Sequence, residues 1–319
     1  MIRVLLRNLR LFGVGYVFWD LFYQIFRKIH RFKIKNPKKE RKLSKIKVND
    51  YEMFIDENGK GIHRDLRMHS IREPESTKLV KEILKEDDVV LEAGANIGYY
   101  TILESKKIGK RGIVYAVEPT KDNFKLLKKN IKLNGLKNVR VFNNAFSDRI
   151  GKISININEE GNLNTPLNLK DYERKESVKC MTLDSFFKNK RKPDFMRMDI
   201  EGYEDVIFKG GEKTLGSLKK IFVELHFPLL GKKRMFDLLN LLKQKGFEIY
   251  KAVMEWERWE DDSNFLGKFV NYLHKKRSKP IVYDNLTISK LINSRNFIGG
   301  HLSLEVFFVK KGKIENEGT

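Results

Sequence analysis

Two clusters of acidic, glycine and histidine residues have types and spacing suited to chemistry. The first is Glu92-Ala93-Gly94-Ala95-Asn96-Ile97-Gly98, with Glu118-Pro119 following 24 residues after Gly94. A loop that binds a dinucleotide pyrophosphate needs Gly-x-Gly-x-x-Gly, because its middle glycine lets backbone N–H groups reach the phosphates. Asn96 stands at that middle position. The pattern present, Glu-x-Gly-x-x-x-Gly, suits instead a ligand without phosphates, held by an amino-acid tail and a ribose, and S-adenosylmethionine is such a ligand. A carboxylate about 20 residues beyond the glycine loop of a βαβ unit accepts the ribose hydroxyls, and Glu118 holds that place.

The second cluster is Asp199-Ile200-Glu201-Gly202-Tyr203-Glu204, with Glu224 and His226 further on. Methyl transfer requires acceptor oxygen, methyl and sulfonium in line, so positioning supplies most of the acceleration. A sugar or alcohol hydroxyl also needs a base. His226 is the first candidate, with Asp199 and Glu201 orienting it or the acceptor; the other reading of His226 is a histidine satisfied at a strand end. These carboxylates with His226 could instead hold Mg²⁺, but no metal-ligand spacing stands out, and no metal is expected. Neither a serine nucleophile elbow nor a Gly-x-x-x-x-Gly-Lys phosphate loop occurs in the sequence.

The elements that must position these residues alternate. An apolar run from Val89 ends in Glu92 and turns through Gly94 and Gly98, which reads as a strand buried on both faces with a helix beginning near Ile97. Ahead of it, Ser76 or Thr77 is expected to cap a helix over Leu79 to Leu84. Ile113 to Val117 is a second strand delivering Glu118; Lys121 to Asn134 is an amphipathic helix stopped by Gly135; Val139 to Asn143 is a third strand. Asn144 follows it, either as an adenine contact or as turn chemistry. Residues 153–157 alternate, and residues 158–176 read as a mobile polar loop near the acceptor. Strands over 193–199 and Ile221 to His226, a helix over Gly231 to Lys245, a strand over Phe247 to Val253 and a last strand over Leu302 to Val309 complete a parallel α/β sheet with crossover helices.

Charge separates the ends of the chain. The net charge is +22 over 319 residues, and residues 1–48 alone hold 14 Lys and Arg against Asp20 and Glu40. Arg3, Arg7, Arg10, Asp20, Gln24, Arg27 and Arg31 recur at helical spacing opposite Leu5, Leu9, Phe12, Tyr16, Trp19, Tyr23 and Phe26, which predicts one amphipathic helix before a polybasic linker. Its longest uncharged run, Leu11 to Trp19, is 9 residues, short of the roughly 20 that span a bilayer. The expectation is a peripheral position on an anionic, cytoplasmic-face membrane, with packing on the domain or a partner as the alternative. The single cysteine, Cys180, excludes a disulfide framework and reads as strand packing in Val178-Lys179-Cys180-Met181. The expected division is 1–48 helix and linker, 49–310 catalytic domain with an insertion at about 254–300, and 311–319 polar tail. The insertion, with Trp256, Trp259, Phe265 to Leu273 and His274-Lys275-Lys276-Arg277, reads as a lid, a second membrane contact or a cover for the sheet edge.

Glu73-Pro74, Glu92 through Thr101, Val117-Glu118-Pro119, Asn144-Ala145, Thr182-Leu183-Asp184 and Met198-Asp199-Ile200-Glu201-Gly202-Tyr203-Glu204 together resemble the FkbM family of S-adenosylmethionine-dependent methyltransferases over roughly residues 70 to 252. Glu92 departs from the Asp usual there. The resemblance implies a class I methyltransferase Rossmann-like sheet of seven strands, mostly parallel with one reversed, and O-methylation of a sugar or polyketide hydroxyl. It also implies cofactor contacts from Glu73, Glu92, Gly94, Asn96, Gly98, Tyr100, Thr101, Glu118, Asn144, Ala145 and Asp199. The acceptor expected is a small molecule or glycan at the membrane surface. RNA methylation is the rival, suggested by charge and by Asn130-Ile131-Lys132-Leu133-Asn134-Gly135, but acids at the acceptor edge repel phosphates. A non-catalytic membrane scaffold is the alternative outside the enzyme class.

Overall fold

A computed structural model of the chain describes residues 41–158, 164–167, 172, 174–255, 280–293 and 303–312. The expected amphipathic helix and most of the insertion after Val253, with both its tryptophans, lie outside the described residues. Among the described residues no helix is long and apolar enough to cross a membrane.

Basic character does not keep residues 41–48 out of the fold. β1 (Leu43–Val48) pairs antiparallel with β2 (Tyr51–Asp56), so the expected linker ends before Leu43. Alternate residues of this hairpin, Val48, Tyr51, Met53 and Ile55, enter the core while the lysines point outward. Next come α1 (Ile62–His69) and α2 (Pro74–Ile83). The expected caps Ser76 and Thr77 lie inside α2, whose N-cap is Glu73 and whose Pro74 opens the first turn. The orphan N–H groups of Glu75 and Ser76 donate instead to Glu255 Oε1, at 3.0 and 3.2 Å. The cap comes from a residue 180 positions away, which no local pattern reveals.

The main sheet contains β3 (Val89–Ala93), β4 (Ile113–Val117), β5 (Val139–Phe142), β9 (Phe195–Met198), β10 (Lys220–His226), β11 (Phe247–Met254), β12 (Ile281–Tyr283) and β13 (Ser303–Lys310). Their order is β12-β11-β13-β10-β9-β3-β4-β5. β3, β4, β5, β9 and β10 are mutually parallel, and β13 runs against both its neighbours, as expected for the reversed strand. Among the described residues the sheet has eight strands rather than seven, because β12 adds to the edge antiparallel to β11, so two of them are reversed. From β3 the chain first builds toward β5 and then returns to build β9 and β10 on the other side. The boundary between β3 and β9 is therefore the topological switch point, where open α/β sheets bind ligands.

Crossover helices α3 (Tyr99–Ile108) and α4 (Lys121–Leu133) follow β3 and β4. A separate sheet of three strands, β6 (Ala145–Phe146), β7 (Gly151–Ile157) and β8 (Arg174–Met181), has its own small core of Ala145, Ile153, Ile155, Ile157, Val178 and Cys180. Residues 174–176, expected in a loop, are thus strand, and Cys180 is packed as expected. α5 (Leu183–Phe186), α6 (Glu204–Lys209) and α7 (Glu212–Ser217) are short; α8 (Phe227–Gln244) begins four residues earlier than the sequence pattern suggested and kinks at Gly231; α9 (Ile288–Asn293) follows β12.

Asn130, one of the residues that suggested RNA, has a structural role. Fully buried on α4, it accepts from Phe54 N at 2.6 Å and donates to Phe54 O at 3.2 Å and Ile97 O at 2.8 Å, tying the hairpin to the glycine loop.

His63 on α1 makes the hairpin region acid-sensitive. It is buried, accepts from Asp56 N through Nδ1 at 3.3 Å, and burial lowers its pKa to about 4. The unfolded chain binds a proton near pH 6.5 and the folded chain does not, so this contribution is present above pH 6.5 and is lost as pH falls toward 4. It is worth up to about 3 kcal/mol. Urea unfolding at pH 7 and pH 4.5 is expected to show His63→Gln losing less stability on acidification than the parent chain; equal losses would remove His63 as a cause.

Candidate active site

The glycine loop is shaped by a close approach of two strands. Gly94 at the end of β3 has φ of +87°, and a Cβ there would fall inside the van der Waals radius of the Asp199 carbonyl oxygen. The N–H groups of Gly94 and Ala95 both donate to Val117 O at 3.0 Å, bending the loop across β4. Asn96 takes a left-handed φ of 49°, which Asn tolerates better than most residues, and its N–H donates to Glu118 Oε2 at 2.8 Å. Glu118 Oε1 accepts from Thr120 N at 2.9 Å and Thr120 Oγ1 at 2.6 Å. Loop and carboxylate are thereby locked together, leaving acceptor capacity on Oε2.

Two adjoining clefts open at the switch point. The larger, about 600 Å³, is lined by Gly94, Asn96, Glu118, Asn144, Ala145 and Asp199, together with Ile153 and Ile155 of β7 and with Tyr203. The smaller, about 370 Å³, is lined by Glu92, Gly94, Asn96, Tyr100, Arg72, Arg197 and Asp199. Gly94, Asn96 and Asp199 are common to both. Asn144 thus faces the cleft, while Asn143 does the turn chemistry, donating to Glu118 O and Pro119 O at 2.9 and 2.8 Å.

Of the expected site residues, Glu73, Gly98, Thr101, Glu201 and His226 line neither cleft, whereas Asp199 lines both. Gly98 is the N-cap of α3 and packs where a Cβ would meet Leu127 at 2.8 Å. Thr101 is fully buried inside α3. Glu73 accepts from Tyr100 Oη at 2.9 Å and pairs with Arg72 at 2.6 Å, so it acts through two cleft residues.

Sequence reasoning missed Arg197. Its guanidinium, 4% exposed, pairs with Glu92 at 2.9 Å, Asp199 at 3.4 Å and Glu73 at 3.7 Å, and stacks 3.8 Å from the Tyr100 ring centroid. The signal was present: it is the one charge in the Phe195-Met196-Arg197-Met198 run, every residue of which is buried. Glu104 was missed too. Burial, then the charge of Glu92, push its carboxyl well above the usual range, and both its oxygens are buried without a hydrogen-bond partner.

The acceptor edge forms where β9 and β10 end. His226 Nε2 lies 3.1 Å from Glu201 Oε2 and 3.4 Å from Glu224 Oε1, and Nδ1 lies 3.3 Å from Glu204 Oε1. Burial would lower its pKa, but the Glu224 and Glu201 carboxylates outweigh that and hold it well above the ordinary histidine value. Both ring nitrogens face acids, and Asp199 lies close by. Asp199 is pushed well up, by burial and then by Glu224. Burial opposes the fall of Glu224, but the His226 charge and hydrogen bond carry it well below the carboxylate range. Glu201 adopts a left-handed φ of 56°, and the turn it begins is clamped by Thr165 Oγ1 donating to Glu201 O at 2.8 Å and by Arg234 donating to Gly202 O at 2.9 Å.

The chain fits S-adenosylmethionine by its own unsatisfied groups. Glu92 Oε2, Asn96 Oδ1 and Arg197 Nε are buried without partners around the smaller cleft, where an amino-acid tail offers donors and acceptors to satisfy them. Glu118 and the apolar wall of β7 would hold the ribose and adenine. Calorimetry is expected to show no S-adenosylmethionine binding by Gly94→Ala and about 10- to 100-fold weaker binding by Glu118→Ala. Thr101→Ala should stay within about threefold of the parent, since its hydroxyl faces neither cleft; a loss as large as that of Glu118→Ala would contradict this placement.

A model of the methyltransferase FkbM domain matches residues 92–249. The hexuronic acid methyltransferase AglP of Haloferax volcanii is 29% identical over 170 residues, 51% of this chain and 64% of that protein's length. A protein-L-isoaspartate O-methyltransferase of Methanosarcina mazei is 39% identical over 74 residues, 23% of this chain and 30% of that one. The chain therefore spans less than two thirds of either relative. Among solved structures, methyltransferase FkbM of Methylobacillus flagellatus aligns over 51% of this chain and 42% of its own, at 17% identity and a TM-score of 0.34. With a glycine loop locked to Glu118, an acidic second motif across the switch point and the domain match, residues 92–249 of this chain are a methyltransferase FkbM domain.

Proposed function

We propose that the protein transfers a methyl group to a hydroxyl oxygen of a sugar or glycan. The observation that carries this reading is the position of Asp199, at the junction of the two clefts and beside the His226, Glu201 and Glu224 cluster. Bound S-adenosylmethionine supplies an electrophilic methyl on its sulfonium. The chain's own residues do the rest. Glu92, Arg197 and Tyr100 orient the amino-acid end, Glu118 and Asn96 the ribose end, and β7 excludes water from the adenine face. Asp199 touches the acceptor hydroxyl, and Glu201 takes its proton while the charged His226 holds Glu201 and Glu224 in place.

Charge argues for a neutral acceptor. Asp199, Glu201, Glu204 and Glu224 crowd one buried edge, and like charges there disfavour an anionic carboxylate or phosphate. The AglP relative, named for a hexuronic acid, supports the sugar class alone; the neutral hydroxyl proposed here differs from the acidic sugar in that name. We also propose that residues 1–42, with their excess of Lys and Arg, bring the domain to an anionic membrane surface, where glycolipid acceptors reside.

Labelled-methyl transfer to glycan and glycolipid extracts is expected to yield an alkali-stable ether. A methyl ester that releases methanol in alkali would overturn the hydroxyl reading. Glu201→Gln is expected to lower kcat by about 10²- to 10⁴-fold with S-adenosylmethionine affinity within about threefold. For the membrane, the chain lacking residues 1–40 should no longer float with anionic liposomes yet still bind the cofactor; undiminished flotation would refute the surface role.

A further inference from the structure

We propose that the outward face of the small sheet of β6, β8 and β7 lies against an anionic membrane surface and sets the larger cleft directly behind it. Strand alternation gives β7 two different faces. Ile153 and Ile155 point inward and wall the larger cleft, while Lys152 and Ser154 are exposed on the other side. On β8, Lys175, Ser177 and Lys179 are exposed in the same way, with Val178 and Cys180 inward. The register places Lys152 opposite Lys179 and Ser154 opposite Ser177.

Two lysines directly opposed across an antiparallel pair repel one another and weaken it. Protecting an edge strand from unwanted pairing asks for a lysine on β7 only, whereas β8 is the central strand of this sheet. The described acids nearby are engaged elsewhere. Glu176 accepts from Lys121 N at 3.2 Å, Asp148 accepts from Ser147 Oγ at 3.1 Å and lies 3.5 Å from Arg149, and Asp122 pairs with Arg174 at 2.9 Å. The face therefore keeps an excess of positive charge.

Apolar groups stand at both ends of it. Ile150, one residue before β7, is 73% exposed; Tyr172, two residues before β8, is 40% exposed, with Lys175 Nζ 5.1 Å from its ring centroid. Cations flanked by exposed aliphatic and aromatic side chains suit a lipid interface, where lysines meet headgroup phosphates and apolar groups enter the acyl boundary. A polyanion such as RNA has no apolar layer to receive Ile150. The chain also enters the described fold at this edge, because Arg41 Nη1 lies 4.0 Å from Asp122, which Arg174 of β8 also holds. The lysines and arginines upstream thus join the domain beside the same sheet. Lys152, Lys175 and Lys179 are fewer than a basic cluster needs to hold a protein on a membrane. This face orients a domain that residues 1–42 anchor, and in that respect it rests on the membrane reading above.

The test uses the full chain with Ser154→Cys carrying an environment-sensitive fluorophore; the one native cysteine, Cys180, is buried. Vesicles of phosphatidylserine with phosphatidylcholine are expected to shift its emission to the blue and to make it quenchable by brominated acyl chains, and phosphatidylcholine alone should do neither. The same label at Glu248→Cys, on β11 near the opposite edge of the main sheet from β5, should not respond. Lys152→Glu and Lys179→Glu, each of which relieves the like-charge pair, should fold, as thermal unfolding will show, and should bind the vesicles at least about fivefold more weakly. Unchanged affinity in the folded variants would overturn the contact. Vesicle binding by the full chain with no response at position 154 would overturn this face and leave the anchor standing, whether or not the lysine variants fold. No vesicle binding at all would overturn both, and RNA that shields the label where vesicles do not would assign the face to nucleic acid and overturn the proposal.

Discussion

One guanidinium joins the parts of this molecule that must not move relative to one another. Arg197 is 4% exposed, and its partners come from four places: Glu73 at the start of α2, Glu92 at the end of β3, Asp199 beyond β9, and the face of Tyr100 on α3. Burying such a charge is costly, and it is held because acids and an aromatic face surround it. Removing it would strand Glu92 among apolar residues at a cost of about 3–5 kcal/mol. The same interaction ties Glu92 in the smaller cleft to Asp199, which lines both clefts.

Around that anchor the chain stores strain where geometry matters. Six non-glycine residues among those described have positive φ, and Glu73, Asn96 and Glu201 are three of them. Each such conformation costs on the order of 1–3 kcal/mol and persists only when surroundings over-determine it. Glu118 fixes Asn96, while Arg72 and Tyr100 fix Glu73. Thr165 and Arg234 fix the turn at Glu201. The small sheet shares in this: its β7 walls the larger cleft, and Thr165, bridged to Asn156 of β7, holds the backbone of Glu201. The wall of that cleft and the turn at Glu201 are thus one mechanical unit.

Much of the fold was legible because its signals are local. Apolar runs bounded by glycine marked β3, β4, β9 and β10, and helical periodicity with Gly135 marked α4. The errors share a cause, since each concerned a partner far away in sequence. Ser76 and Thr77 looked like caps, but Glu255 caps α2. Lys45 and Lys47 looked like linker charge, but their backbone pairs with Glu52 and Phe54 in a hairpin. β12 pairs through only three residues, too few for a period to show. Among the site residues, Thr101 and Gly98 belong to the glycine-loop motif yet serve the packing of α3, and Arg197 escaped notice because a charge inside a strand has no sequence rule to explain it.

The sequence by itself determined the alternation of strand and helix, the switch of direction after β3, and the presence of carboxylates at the ends of β3, β4, β9 and β10. Those follow from residue type and spacing, which act over a few positions along the chain. The tertiary structure alone decided which carboxylates are free and which are paired: Glu92 is held by Arg197, Glu104 is buried nearby with its carboxyl pushed well up, and His226 is enclosed by Glu201, Glu204 and Glu224. The reason is electrostatic. A buried charge takes its protonation and its role from neighbours within about 4 Å, and here those neighbours are brought together by sheet register rather than by proximity along the chain.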